Sequence, residues 1–131
     1  MLDINASMLF RPGEADLQDE AVSTLAEVAT ILAEQKMPIE VDGHTDNLPI
    51  STLQFPSNWE LSSARASSVV RLFIEQGISA NLLKATGYAD NFPLLPNDTA
   101  EGRARNRRVA VTVLAPEVEN ATAAAATPLQ N

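Results

Sequence analysis

Apolar residues recur at helical spacing in two long segments of the chain. We predict the first helix over about residues 17–36, with Asp16 placed to cap its N-terminus and Pro38 ending it. We predict the second over about residues 58–76, where Ser57 and Glu60 have the spacing of a capping box. The apolar stripes of the two helices consist of Leu17, Ala21, Leu25, Val28 and Leu32, and of Leu61, Ala64, Val69, Leu72 and Phe73.

The other regular segments alternate apolar and polar residues or stop at turn residues, as strands do. They predict strands over residues 2–10, 39–43, 84–89 and 109–114. Asp98 through Glu101 predict the start of a short helix that continues through Arg105. The order β-α-β-α-β-(short α)-β predicts an α/β fold, a two-layer α/β sandwich with both long helices on one face of the sheet. We therefore expect one domain over residues 1–115 and a flexible, Ala/Thr-rich C-terminal tail over residues 116–131.

Composition narrows the class of protein. A length of 131 residues suits a single domain, and the absence of cysteine excludes disulfides and thiolate metal sites. Nine Lys and Arg against 17 Asp and Glu give a net charge of −8, which argues against a general nucleic-acid or anionic-membrane binder. No apolar run approaches the roughly 18 residues that a membrane-spanning helix needs.

Asp42, His44 and Asp46 alternate at the end of a predicted strand, and these residue types can bind a metal ion. However, the chain has one histidine and no second ligand cluster, and carboxylates beside Gly and Asn commonly make hydrogen bonds within turns. No serine stands in a nucleophile-elbow pattern. We therefore expect neither a metal nor a cofactor and predict that the protein is not an enzyme, with a metal site as the weaker alternative.

Arginine is concentrated in one short segment, since residues 103, 105, 107 and 108 hold four of the nine basic side chains. These arginines either pair with carboxylates of the first helix and cap the short helix, or bind carboxylate groups of a ligand through the planar guanidinium. Arg65 lies in the second helix between Ala64 and Ala66. Its guanidinium either reaches solvent along an apolar surface or awaits an anion, and both interpretations remain open.

Four motifs in order resemble those of the OmpA-like peptidoglycan-binding domain, over roughly residues 8–114. They are Gly43–Asp46; Asn58, Leu61, Ser62, Arg65, Ala66 and Val69; Gly87 and Tyr88 with Pro93 and Asn97; and Gly102, Arg103 and Asn106–Val109. Within this family the chain resembles the periplasmic domain of flagellar motor stator B subunits (MotB/PomB type). That likeness rests on Thr45–Asn47 with Pro49 and Ile50, on the longer loop that follows, and on Phe55–Ser62. Arg11 departs from the family pattern, in which several members carry an acidic or polar ligand contact.

The resemblance implies a ligand, the diaminopimelate side chain of the peptidoglycan stem peptide. By the family pattern Asp46 takes its ammonium group and Arg65 its carboxylate. Their opposite charges suit a zwitterion, and we expect the two side chains to hold each other until the ligand inserts between them. The remaining site residues that the resemblance implies are Arg107 and Asn58 for other polar groups of the peptide, Thr45 and Asn47 beside Asp46, and Leu61 and Ser62 at the start of the helix.

These implications predict a non-enzymatic domain that anchors a flagellar motor stator to the cell wall, as torque generation and motility require. We expect a periplasmic homodimer, with an inner-membrane helix before Met1 that contacts the stator A subunit. The alternative within the same fold is a wall anchor of an outer-membrane or secretion-associated protein. The loop between Asn47 and Ser57 argues against this alternative. A metal-dependent peptidoglycan hydrolase is the less favoured alternative from another class.

Overall fold

The computed structural model describes residues 1–114, so the predicted tail over residues 116–131 lies outside the described residues. Nine helices and strands follow one another within residues 1–114. They are β1 (Leu2–Asn5), α1 (Ala6–Leu9), α2 (Asp19–Gln35), β2 (Ile39–His44), α3 (Asn58–Glu75), a 3₁₀ turn (Ala80–Leu82), β3 (Leu83–Gly87), α4 (Ala100–Asn106) and β4 (Arg108–Val113). No helix within residues 1–114 combines the length and the apolar character needed to cross a membrane.

Four strands of the described segment form one mixed sheet in the order β1-β4-β2-β3. β4 lies antiparallel to both β1 and β2, whereas β2 and β3 are parallel. Ile39 and Val41 of β2 point into a core that also contains Leu25 of α2 and Phe73 of α3. Both long helices therefore cover one face of the sheet, and the predicted two-layer α/β sandwich is confirmed.

The prediction of one strand over residues 2–10 is wrong. The strand ends at Asn5, whose side-chain oxygen accepts a hydrogen bond from the Ser7 amide (3.0 Å) and so starts the one-turn helix α1. Ala6 and Leu9 are buried while Met8 is exposed, which is a helical spacing and not the alternation of a strand. The chain thereby turns across the end of the sheet before α2 begins.

Several element ends also differ from the prediction. Asp16 does not cap the first long helix, because α2 begins at Asp19 after Gln18, which provides no side-chain cap. Leu17 instead pairs with Phe10 in an isolated bridge. Thr99, within the segment predicted to start the short helix, caps α4 by accepting a hydrogen bond from the Gly102 amide (3.0 Å). Ser57 does cap α3, as the sequence predicts.

The predicted third strand ends at Gly87, two residues earlier than expected. Ala89 then adopts a left-handed backbone conformation with φ of 53°, which turns the chain away from the sheet. Its carbonyl accepts a hydrogen bond from the Thr45 amide (2.8 Å). The segment after β3 therefore holds the segment after β2 in place.

Gly43 allows α3 to approach the end of β2. A Cβ at this position overlaps the carbonyl group of Ser62, in the first turns of the helix. The absence of a side chain therefore sets the distance between strand and helix. This close packing brings the residues after β2 next to the N-terminal half of α3.

Candidate functional site

A cavity of about 450 Å³ opens where the end of β2 meets the N-terminal half of α3. The segment around α1 and the turn after it form one wall, and the loop after β2 forms another. Six of the eight site residues predicted from the sequence line this cavity: Thr45, Asp46, Asn58, Leu61, Arg65 and Arg107. The structure thus brings together residues that are up to 62 positions apart in the chain, from Thr45 to Arg107.

Asp46 is paired with Arg107. Its Oδ2 accepts a hydrogen bond from Arg107 Nη1 at 2.6 Å, and its Oδ1 accepts one from the Leu48 amide at 3.0 Å. The Asp46 residue is only 7% exposed. The expectation that Asp46 and Arg65 hold each other in the free protein is therefore wrong, because the Asp46 carboxylate forms its ion pair with Arg107 instead.

Arg65 is buried and held by main-chain carbonyl groups. Its Nε donates to the Glu14 carbonyl (2.8 Å) and its Nη2 to the Arg11 carbonyl (3.3 Å), while the guanidinium lies 5.0 Å from the Phe10 ring centre. No hydrogen bond within residues 1–114 uses Nη1. Burial, and then the nearby Arg107 charge, lower the pKa of Arg65 to about 10, so the side chain stays charged at neutral pH.

The position of Arg65 contradicts one of the two interpretations of its sequence setting. The residue is only 5% exposed, so it does not extend to solvent along an apolar surface. Its two described bonds go to uncharged acceptors, and no acidic side chain within residues 1–114 forms an ion pair with it. The Arg65 guanidinium therefore lies at the cavity without an acidic partner among the described residues.

The two remaining predicted residues do not line the cavity. Ser62 is fully buried, accepts a hydrogen bond from the Ala89 amide (3.1 Å) and donates one to the Trp59 carbonyl (3.2 Å). Its observed contacts are thus with the scaffold behind the cavity. Asn47 is exposed and contributes no lining atoms.

The neighbours of Asp46 position the loop that carries it. Thr45 donates its hydroxyl hydrogen to the Asp46 carbonyl (2.8 Å), and Asn58 donates from Nδ2 to the Leu48 carbonyl (3.0 Å). Leu61 packs with Phe55 and Ala15 in a small apolar cluster under the loop. These contacts fix the loop on both sides of the carboxylate.

The arginine-rich segment is divided among different contacts. Arg107 reaches the cavity, Arg103 donates to the Asn97 carbonyl (2.9 Å), and Arg108 donates to the carbonyls of Asn106 (3.2 Å) and Phe92 (3.1 Å). Arg103 and Arg105 lie in the last turn of α4, where basic residues suit the helix dipole. The ion pairs described within residues 1–114 are Arg107–Asp46 and Lys84–Glu40. Within residues 1–114 these arginines therefore do not form ion pairs with carboxylates of the first long helix, and this alternative is wrong.

His44 lies apart from the cavity. It shares one face of β2 with Glu40 and Asp42, opposite the face that packs on the helices, and it stacks on Tyr88 with ring centres 5.3 Å apart. Burial, and then the Arg108 charge, lower the pKa of His44 to about 4. Within residues 1–114 no three His, Cys, Asp or Glu side chains are arranged to hold a metal ion.

Sequence reasoning missed the turn that holds Arg65. Arg11 and Glu14 contribute carbonyl oxygens, and their turn is closed by a hydrogen bond from the Glu14 amide to the Arg11 carbonyl (3.0 Å). Gly13 has φ of 72°, which glycine adopts without strain. The Pro12–Gly13 pair signals a turn in the sequence, but any residue has a carbonyl oxygen, so no side-chain pattern marks these acceptors.

The fold and the cavity residues agree with a family match. The OmpA family model matches residues 9–107, and the chain belongs to that family. The matched segment includes all six predicted site residues that line the cavity.

Three similar proteins give this membership more detail. Motility protein B of Bacillus subtilis is 39% identical over 116 residues, which cover 87% of this chain. The cell wall anchor of the T6SS from Pseudomonas aeruginosa is 44% identical, with a TM-score of 0.81 and coverage of 86% of this chain and 79% of that one. A MotB-like protein from Desulfovibrio vulgaris is 35% identical, with a TM-score of 0.78 and coverage of 85% and 69%.

The chain spans about half of the length of the relatives found by sequence. It covers 44% of the Bacillus subtilis protein, and the other portion of that protein has no counterpart in the match. The similarity therefore concerns one domain of a longer relative.

Proposed function

We propose that this domain binds peptidoglycan without covalent attachment, through the cavity that Asp46, Arg65 and Arg107 share. The observation that carries the proposal is Arg65, a buried cation with no carboxylate partner within residues 1–114, lying in a cavity next to an Asp–Arg pair. A diaminopimelate side chain offers a carboxylate to Arg65 and an ammonium group to Asp46. The name of the Pseudomonas relative, a cell wall anchor, supports the same ligand.

A single site of this kind binds modestly. Each hydrogen bond to a charged group is worth roughly 1.5–3 kcal/mol net, and the fragment makes few of them. An anchor on a polymer does not depend on one tight contact, because two linked sites gain through effective concentration. The proposed role as an anchor is therefore consistent with a small, open cavity.

We further propose that the longer protein anchors a flagellar motor stator to the wall. The relatives named Motility protein B and the longer loop between Asn47 and Ser57 support this assignment. The proposal includes a periplasmic location, a homodimer, and an inner-membrane helix that contacts the stator A subunit, and these parts rest on the family resemblance alone. The other candidate is a secretion-system wall anchor, which the 44% identity to the T6SS anchor favours.

Sedimentation with purified sacculi tests peptidoglycan binding. Arg65→Ala is expected to stay largely in the supernatant, because the ligand carboxylate loses its buried donor, and Arg65→Lys is expected to recover only part of the binding. Arg71→Ala is the matched control, since Arg71 lies exposed on the same helix outside the cavity. If folded Arg65→Ala protein sediments as well as the wild type, the site assignment is wrong.

Domain exchange tests which machine the domain serves. Replacing the corresponding domain of Bacillus subtilis Motility protein B by residues 1–114 is expected to preserve swimming, and the Arg65→Ala version is expected to abolish it. The same exchange in the Pseudomonas T6SS anchor is the comparison. Function only in the T6SS exchange favours the secretion anchor and contradicts the stator assignment.

A further inference from the structure

The cavity carries more positive than negative charge. Three of its lining residues are arginines, Arg11, Arg65 and Arg107, and one is acidic, Asp46. The pair between Asp46 and Arg107 neutralises one guanidinium group. Arg65 and Arg11 are left without an ion-pair partner within residues 1–114.

Arg11 and Arg65 are connected through the main chain. The Arg11 carbonyl accepts a hydrogen bond from Arg65 Nη2 at 3.3 Å, and the turn at Pro12 and Gly13 holds that carbonyl in place. The main chain of Arg11 therefore contacts the Arg65 guanidinium, and the side chain of Arg11 is exposed. That side chain begins next to the position that a ligand carboxylate bound to Arg65 would occupy. Arg11 also borders a second cavity, whose lining includes Glu14, Asp16, Asp19 and Glu20, but none of these carboxylates forms an ion pair with it within residues 1–114. An exposed guanidinium without such a pair, on a residue that contacts Arg65, suits a second carboxylate of the ligand.

Asp46 is shared between two cations when a ligand ammonium group binds. Both of its oxygens already accept hydrogen bonds, from Arg107 and from the Leu48 amide, and it is largely buried. A ligand ammonium group has to share this carboxylate with Arg107. The charge balance of the whole cavity therefore favours a ligand that is net anionic over one whose charges cancel.

We propose that Arg11 is a specificity-determining residue that receives a second carboxylate of the ligand, so that the cavity prefers a stem peptide with two free carboxylates to one in which the second is an amide. This inference rests on the proposed function, because it concerns the ligand of the same cavity. In a stem peptide, a γ-linked glutamate residue next to diaminopimelate keeps its α-carboxylate. Converting that group to an amide removes the charge and retains the shape.

Calorimetric titration with two matched tripeptides tests the preference. The probes are N-acetyl-L-alanyl-γ-D-glutamyl-meso-diaminopimelate with its peptide C-terminus blocked as the N-methylamide, which leaves two free carboxylates, and the same blocked peptide with the glutamate α-carboxyl group as an amide. The wild type is expected to bind the free acid about five- to tenfold more tightly, the low end for a charged hydrogen bond at an exposed side chain. Added salt is expected to reduce the preference, because screening weakens exposed charge pairs.

Variants of Arg11 assign the preference to this side chain. Arg11→Gln is expected to bind both tripeptides with nearly equal affinity, and Arg11→Glu is expected to prefer the amide. Arg105→Gln is the matched control, because Arg105 lies outside this cavity and its replacement removes the same charge. It is expected to keep the wild-type preference.

The outcomes separate this inference from the proposed function. Equal affinity of the wild type for both tripeptides overturns the inference and leaves peptidoglycan binding intact. An unchanged preference in Arg11→Gln protein with a wild-type melting temperature overturns it as well. If the wild type binds neither the tripeptides nor sacculi, the proposed function fails and the inference fails with it.

Discussion

Strand β2 leads to two clusters of charged side chains that differ in how their charges are compensated. Beyond its C-terminal end, Asp46 meets Arg107 from the end of α4 and lies in one cavity with Arg65 from α3. On the face away from the helices, Glu40 and Asp42 stand on the same side of one strand. We call these groups the cavity cluster (Asp46, Arg65 and Arg107) and the open-face cluster (Glu40, Asp42 and His44).

The two clusters differ in whether their buried polar atoms have hydrogen-bond partners. In the open-face cluster, burial and then the neighbouring Glu40 raise the pKa of Asp42 to about 7. Asp42 Oδ1 and His44 Nδ1 are buried without a hydrogen-bond partner within residues 1–114. In the cavity cluster Asp46 has partners for both oxygens. Charges contributed by separate elements can thus compensate each other, whereas burial and an adjacent carboxylate on the same strand face raise the pKa of Asp42.

The largest expected effect comes from disturbing the close packing between Gly43 of β2 and Ser62 of α3. Gly43→Ala is expected to lower the free energy of unfolding by about 1–3 kcal/mol, because the added Cβ overlaps the Ser62 carbonyl and pushes α3 from β2. Urea denaturation followed by circular dichroism measures this change. Gly77→Ala is a control for the cost of the backbone alone, since its φ of 106° is strained for alanine but no atom lies within 4 Å of the new Cβ. A stability of Gly43→Ala protein equal to that of the wild type contradicts the close packing.

Asp42→Asn tests the open-face cluster. The raised pKa of Asp42 means that the folded state holds a proton that the unfolded state has released, and this favours folding below about pH 4. That contribution is lost as the pH rises from the ordinary value of 3.8 towards 7. The asparagine variant is therefore expected to be more stable than the wild type at pH 8, with the difference shrinking at acidic pH. Thermal melts across this range measure it, and a pH-independent difference rules out the titration.

His44→Gln tests the opposite slope on the same strand, and its effect is expected to be smaller. The lowered pKa of His44 means that its neutral form favours folding above the ordinary value of 6.5. This contribution is lost as the pH falls towards 4. Since the Asp42 and His44 slopes oppose each other, the glutamine variant is expected to lose stability more steeply than the wild type between pH 4 and 6.5 as the pH rises. Parallel curves for the two proteins in melts over this window contradict the assignment.

The sequence predicts the parts of this molecule that depend on local patterns. Leu25 and Phe73 each belong to an apolar stripe with helical spacing, and both lie in the core. Ser57 caps α3, as its spacing to Glu60 predicts. The strand over residues 2–10 fails as a prediction because the Asn5 side-chain oxygen accepts a hydrogen bond from the Ser7 amide and starts a helical turn, which competes with weak β alternation.

The pairing within the cavity is harder to predict, because it depends on tertiary geometry. The motifs identify Asp46, Arg65 and Arg107 as site residues, but no rule of sequence spacing predicts which arginine pairs with the Asp46 carboxylate. The structure has Arg107 in that place, because the end of α4 brings its side chain within 2.6 Å of Asp46 while the turn after α1 holds Arg65. Main-chain acceptors such as those of Arg11 and Glu14 leave no trace in side-chain patterns.

One comparison of affinities tests the central claim most directly, namely that the cavity cluster and not the open-face cluster binds the wall peptide. Calorimetric titration with the diaminopimelate tripeptide uses Asp46→Asn and Asp42→Asn, two identical changes four positions apart. Asp46→Asn is expected to bind about tenfold more weakly or worse, because it removes a charged contact, while Asp42→Asn is expected to bind like the wild type. Wild-type affinity in folded Asp46→Asn protein, or an equal loss in both variants, contradicts the claim.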